Sequence, residues 1–302
     1  SGFQELVEDL RARGLYQSQY RVEIDGPLDH RVRVRDSVSG AVTEKICFDS
    51  NGYLGLSQHP RVVAATRRAL DEVGYGTPSA QLLGGTSRQL RELEDTVSAF
   101  YGREATLVFP SGYAANVGAL TALLRANDLV VRDQYAHASI ADGCRFSGAR
   151  YGGVYAHQDL RALDNLLLRD GGKARGKLVV TDGVFSMHAA IADLPRLRAL
   201  CDRHHARLMV DDAHGLGVLG RTGRGIEEHF GMPGSVDVLM GTFSKAPGSV
   251  GGYVTGSRAL VDYLRFFARA GMFTASLPAP ICAGIAESFR VIDDEPELGS
   301  RL

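Results

Sequence analysis

From about residue 90 the chain alternates a helical segment with a short apolar strand, five times in succession. LRELEDTVSAFYG precedes ATLVF, YAANVGALTALL precedes DLVVRD, and ASIADGCRFSG precedes RYGGVYA. DLRALDNLLLRD precedes KLVVTDG, and LPRLRALCDRHH precedes RLMVDD. A sheet with one wet face would show apolar and polar residues in alternation. Strands this rich in Val and Leu at both parities must instead be covered on both faces. The pattern therefore predicts an α/β fold, with a mostly parallel central sheet between two helix layers. VDVLMG and GGYVTG add two strands, RALVDYLRFFARAG a helix, and PICAGIAESFRVIDDEPELGSRL begins another.

The first part of the chain reads differently. Residues 1–14 form an amphipathic pattern with Phe3, Leu6, Val7 and Leu10 on one face. Residues 29–49 alternate as a half-buried hairpin does, through RVRVRD and KICFD. HPRVVAATRRALDEVG reads as a helix with the stripe Val62, Ala65, Ala69 and Val73, stopped by Gly74. The length of 302 residues predicts one large domain with a smaller appendage.

Several function classes are excluded at this level. A formal net charge of −1 offers no basic field for nucleic acid or an anionic membrane. Cys47, Cys144, Cys201 and Cys282 lie far apart with no CxxC pair, so neither a zinc knuckle nor a disulfide framework is expected, and a reducing cytoplasm fits best. SGFQELVEDLRARG lacks the apolar core of a signal peptide, and no apolar run reaches ~18 residues.

Ligands of an open parallel sheet gather at the carboxyl ends of its strands. The segments to read are therefore PSGYAAN, DQYAHAS, DGVFSMH, DDAHGLG and GTFSKAPG. In VFPSGYAAN, Ser111 opens a helix whose first amides are a ready phosphate site, although Ser111 can equally cap that helix. Phe109 stands where a hydrolase elbow needs glycine. Asp211 closes a strand. It could ligate a metal with Asp212 and His214, orient a histidine, pair with a buried cation, or cap its loop. GLGVLG formally matches a dinucleotide fingerprint but runs into RTGRGIEEH, which is too glycine-rich to open a helix promptly. His204 and His205 are expected on an exposed helix face; they and His229 receive no role.

Lys245 sits beyond a buried strand among Thr242, Ser244, Gly248 and Gly251. Desolvation there would lower its proton affinity and make it a Schiff-base nucleophile; a phosphate-binding or plain loop lysine is the alternative. The loops read together suit an aldehyde cofactor with a phosphate tail and a pyridine nitrogen. Lys245 supplies the imine and Asp211 the anion that keeps the ring nitrogen protonated. Ser111, Gly112 and Tyr113 supply phosphate donors. His137 offers a flat face, His214 and Ser186 reach the ring oxygen, and Thr242 with Ser244 completes the shell. No metal is expected.

The set DSNGYLGLSQHP, LVFPSGYAAN, HASIADGCRFSGAR, DGVFSMHAAIADL, VDDAHGLGVLG, GTFSKAPGSVGGYV and FTASLPAP closely resembles the α-oxoamine synthases, in order, from about residue 20 to the end. These are pyridoxal 5'-phosphate (PLP) enzymes of the aspartate-aminotransferase fold type. The resemblance implies decarboxylative condensation of an amino acid with an acyl thioester, carried on coenzyme A or a carrier protein, to an α-amino ketone. It implies that Lys245 forms the imine and moves the proton, that Asp211 pairs with the pyridinium, that His137 stacks on the ring and that His214 lies beside the ring oxygen. It implies a homodimer in which Thr274 reaches the neighbouring subunit's phosphate, and it puts Asn51 in the substrate region. Another reaction on the same fold, an aminotransferase or a retro-aldol lyase, is the alternative, as is a non-catalytic partner subunit; the retained Lys245 argues against the last.

The sequence departs from the family at outer positions. Gly52 replaces an Asp, Ala80 and Gln81 a Ser-Arg pair, and Leu90 a frequent His. His188, Ala189 and Ala190 stand for Asp-Gly-Asp, and Pro247 follows the lysine loop. These point to a pathway-specific synthase. The expected division is 1–50 as an N-terminal helix and hairpin, 51–280 as the large PLP-binding domain, and 281–302 as the start of a small domain otherwise missing.

Overall fold

The computed structural model describes residues 2–15, 22–37 and 39–302. It divides into two compact units, Ser1–Asn51 and Gly52–Leu302. The first contains α1 (Gly2–Ala12) and an antiparallel sheet of β1 (Val22–Ile24), β2 (Arg31–Asp36) and β3 (Val42–Ile46), in the order β1-β2-β3. The amphipathic helix is present, but Phe3 and Leu6 on its apolar face are exposed. The expected hairpin is β2 with β3, and it gains a third strand because the three-residue segment VEI pairs with the other edge of β2. Strand β3 ends at Ile46, so Cys47 to Asp49 lie outside it.

The second unit begins with α2 (Pro60–Val73), ended by Gly74, and α3 (Arg88–Tyr101). It continues with β4 (Ala105–Phe109), α4 (Gly112–Leu123), β5 (Leu129–Asp133), α5 (Ala138–Phe146) and β6 (Arg150–Tyr155). Then come α6 (Leu160–Gly171), β7 (Lys177–Asp182), α7 (Leu194–Arg203) and β8 (Arg207–Asp211). The unit closes with β9 (Val238–Thr242), β10 (Gly252–Gly256), α8 (Arg258–Phe267) and α9 (Ala279–Asp294). The strands form one sheet in the order β4-β10-β9-β8-β7-β5-β6. Strand β10 runs antiparallel to both neighbours, and the other pairs are parallel. The connection from Thr242 to Gly252 is too short for a crossover helix, so β10 has to return antiparallel.

The sheet is apolar on both faces, as its strands require. Val131, Val179, Val210 and Leu239 meet α3, α6, α7 and α9 on one side. Val130, Val180, Met209 and Met240 meet α4, α5 and α8 on the other. Helix α9, which carries residues 281–294, packs on α2 and α3 within this unit.

Two local expectations are corrected. The helix expected over 258–271 breaks at Ala268, followed by a separate turn Arg269–Met272. Helix α7 ends at Arg203, so His204 and His205 are not on an exposed helix face. His204 is buried with Nε2 2.5 Å from Asp164 Oδ1, and His205 takes a left-handed φ of 52°.

Candidate active site

The carboxyl ends of β7, β8 and β9 bring three titratable groups together: Asp182, Asp211 and Lys245. Asp211 ends β8 and is buried; its Oδ2 accepts from Asn116 Nδ2 at 2.7 Å and its Oδ1 from the Ala213 amide at 3.1 Å. Asp182 ends β7 and accepts from the His137 amide at 3.1 Å. Burial, then the neighbouring Asp211, pushes its carboxyl up to about 8, against the pull of that amide and of Lys245. Lys245 is half-buried, and its side chain makes no hydrogen bond or ion pair among the described residues. Desolvation lowers its ammonium's proton affinity, while Asp211 and Asp182 oppose that shift. Such an amine is primed to act as a nucleophile.

The loop that carries Lys245 is shaped by close backbone approaches. At Gly248, φ is 72° and a side-chain carbon would come within 2.6 Å of the Ser57 amide nitrogen. Thr242 Oγ1 donates to the Gly251 carbonyl at 2.8 Å and lies 2.9 Å from Ser244 Oγ, so both hydroxyls brace the loop. Gly112 faces Thr242, where a Cβ would lie 3.1 Å from the threonine Cβ and Oγ1.

Ser111 caps α4: its Oγ accepts from the Ala114 amide at 3.0 Å, and its carbonyl accepts from the Ala115 amide. The Gly112 and Tyr113 amides are left pointing out of the helix start, toward the anion that a dipole's positive end favours. Tyr113 OH donates to Asp142 Oδ2 at 2.8 Å. His214 Nδ1 lies 2.6 Å from Tyr53 OH, and desolvation, with Lys245 nearby, lowers the imidazole to about 4. That ring is neutral at pH 7. His137 caps α5, with Nδ1 2.7 Å from Ser139 Oγ.

Asp212 separates cleanly from Asp211 despite being its neighbour. It points away into the core, where its Oδ2 accepts from the Ile226 amide at 2.8 Å and burial holds its carboxyl well above the usual range. A side chain at Gly183, Gly215 or Gly225 would collide with its oxygens. The metal set Asp211, Asp212 and His214 is therefore not assembled, and no cluster of metal-ligating side chains occurs among the described residues. GLGVLG is followed by a turn, with only the short helix Ile226–His229 beyond it.

The aminotransferase class I and II family matches residues 43–302. The chain belongs to that family, in its α-oxoamine synthase branch. It is 43% identical to 8-amino-7-oxononanoate synthase of Methylococcus capsulatus, over 98% of this chain and 74% of that protein. It is 42% identical to 4-hydroxy-2,2'-bipyrrole-5-methanol synthase PigH of a Serratia species, over 99% of this chain but 45% of that protein. A serine palmitoyltransferase from Sphingomonas wittichii superposes with a TM-score of 0.90 at 36% identity, over 97% of this chain and 72% of that one. Another, from S. paucimobilis and bound to a PLP–myriocin aldimine, gives a TM-score of 0.92 at 32% identity, over 99% of this chain and 74% of that one.

The α-oxoamine synthase fold thus brings most of the expected residues to one end of one sheet. A PLP group fits what is there: an amine without a protein partner, a buried carboxylate held by two donors, and open amides at a helix start. Ser186 is exposed in the loop after β7, and Thr274 is half-buried after the turn Arg269–Met272. Asn51 belongs to the other unit. Sequence reasoning missed Asn116, Ser139, Asp182 and Tyr53. The signal for Asp182 was available, since it closes a strand in DGVFSMH as Asp211 does in DDAHGLG.

Proposed function

We propose that this chain is the PLP-binding part of an enzyme that condenses an amino acid with an acyl thioester, releases carbon dioxide and yields an α-amino ketone. The observation that carries this reading is the desolvated, unpartnered amine of Lys245 beside the buried carboxylate of Asp211. PLP, when bound, supplies an aldehyde and a protonated ring that draws off the electron pair left at an amino-acid α-carbon. Asp211 would hold the ring nitrogen's proton, and its two donors keep its oxygens oriented for that bond. Lys245 Nζ would bond the aldehyde and later take the α-carbon proton. His137 would cover the ring, and neutral His214, with Ser186, would face its oxygen. The Gly112 and Tyr113 amides, helped by Ser111, Thr242 and Ser244, would hold the phosphate. Asn51 would lie toward the substrate.

The substrates of this reading are an amino acid and an acyl group on coenzyme A or a carrier protein. Its assembly is a homodimer in which Thr274 serves the neighbouring phosphate, and its location is the cytoplasm. Four free cysteines, three of them buried, are consistent with a reducing compartment. No helix among the described residues is long and apolar enough to cross a membrane.

The test has two parts. Reconstitution with PLP should give a visible absorption band, and borohydride followed by peptide mapping should find the label on Lys245. The full-length enzyme should then release carbon dioxide and free thiol together from amino acid plus acyl thioester. A colourless protein with unlabelled Lys245 would refute the cofactor assignment. Amino transfer without thiol release would refute the reaction.

A further inference from the structure

A buried line of hydrogen bonds joins the carboxylate of Asp211 to the ring of His137. Asn116 on α4 is fully buried, as is Ser139 on α5. The Asn116 amide nitrogen lies 2.7 Å from Asp211 Oδ2 and 2.9 Å from Ser139 Oγ. Ser139 Oγ lies 2.7 Å from His137 Nδ1, and the Ser139 amide nitrogen is 3.3 Å from that same Nδ1.

The direction of each bond follows from the donor inventory. A carboxylate only accepts, so Asn116 must turn its NH₂ group toward Asp211. That leaves Asn116 Oδ1 facing inward, where it is buried with no partner. The second NH₂ hydrogen goes to Ser139 Oγ. A backbone N–H only donates, so His137 Nδ1 must present a lone pair to the Ser139 amide. The Ser139 hydroxyl, having accepted from Asn116, then donates its own hydrogen to Nδ1. With two donors aimed at Nδ1, the proton of the neutral ring belongs on Nε2, which has no partner among the described residues.

We propose that Asn116 and Ser139 are positioning residues that fix His137 as the Nε2–H tautomer and tie its ring to Asp211. The consequence for the proposed reaction rests on the reading above: the group that covers the cofactor and the group that charges it share one rigid chain of bonds. A displacement of either is felt by the other through Asn116. The tautomer itself rests on this chain's own atoms and needs no cofactor.

The experiment is ¹⁵N-histidine NMR of the whole chain without PLP at mildly alkaline pH, with His137 assigned by its loss in His137→Gln. Wild type should show an acceptor-type Nδ1 and a protonated Nε2. Ser139→Ala, which keeps only the longer amide contact at 3.3 Å, should blur the single-tautomer pattern, and Ser139→Thr, which keeps the hydroxyl, should restore it. Asn116→Leu should loosen the same signature by freeing the Ser139 hydroxyl to turn. A proton found on Nδ1 in wild type would overturn the proposal, as would a wild-type signature in folded Ser139→Ala. The wild-type spectrum decides even where a variant fails to fold. A visible band on adding PLP is scored separately: its absence would count against the cofactor reading and leave the tautomer result standing.

Discussion

The two ends of the central sheet treat charge in opposite ways. At the amino ends of β8 and β9, Asp237, Arg198 and Arg207 answer one another. Asp237 takes Arg198 Nη1 and Arg207 Nη1, each at 2.7 Å, and the Leu208 amide at 2.8 Å. Burial alone would raise its carboxyl, but these donors hold it below the usual range. Lys177 Nζ likewise donates to the His204 carbonyl at 2.7 Å. At the carboxyl ends the balance reverses. Asp182 and Asp211 are both buried, Asp182 is pushed up, and the nearby amine of Lys245 is itself depressed and makes no hydrogen bond among the described residues. At the first end Asp237 is held by its own ion pairs. The other holds groups whose partners must come from a ligand, which is how perturbed groups mark a working site.

The sharpest way to break this contrast is Lys245→Ala. It should abolish the visible band and the borohydride label completely while moving the unfolding midpoint of the cofactor-free protein little, because no hydrogen bond or ion pair is lost among the described residues. A large loss of stability would mean that Lys245 is structural and that the two ends are alike. Asp237→Ala should do the reverse. It leaves the Leu208 amide without its acceptor and removes one of several contacts of Arg198, so a loss of about 1–3 kcal/mol is expected in urea unfolding, with the PLP spectrum unchanged. Asp237 also makes an acid-labile contribution. Its folded carboxyl is depressed, so this stabilisation is present above the unfolded value and is lost as pH falls below about 4.

Asp182 should show the opposite pH sign. Its folded carboxyl, at about 8, holds a proton that the unfolded chain sheds near 3.8. The folded state therefore binds more protons between those values, and stability should fall as pH rises from about 4 to about 8. Asp182→Asn should make that slope shallower, leaving the share of other buried carboxyls such as Asp212, read from urea midpoints of the cofactor-free protein at pH 5 and pH 8. An unchanged slope would place the titration elsewhere. The smallest effect is expected at Ala189, whose φ of 50° is left-handed for a residue with a Cβ. Ala189→Gly should relieve at most about 1 kcal/mol, measured as a raised midpoint, and a loss would show that the methyl group packs usefully.

The helix–strand rhythm made the layered fold legible because burial on both faces leaves a local signature in each strand. The strand order leaves none. Thus β10 was seen as a strand, but its insertion between β4 and β9 was not. The same limit explains the site. Lys245, Asp211 and His137 stand out because each follows a strand in its own segment. Asn116 lies within PSGYAAN with no local mark of a role, because its partner Asp211 is reached only once α4 is laid across the sheet. His204 was misplaced for the same reason: Asp164 meets it from a different helix.

The antiparallel return of β10 has a dynamic consequence. The Lys245 loop is anchored at both ends in strands paired on both sides, β9 and β10, and β10 also pairs with β4, the edge strand that leads into Ser111. Releasing this loop would unzip central ladders, which costs nearly as much as melting the whole unit. Amide protons of Met240 and Val254 should accordingly exchange with deuterium only on global opening, making the lysine's mount among the slowest-breathing parts of the molecule.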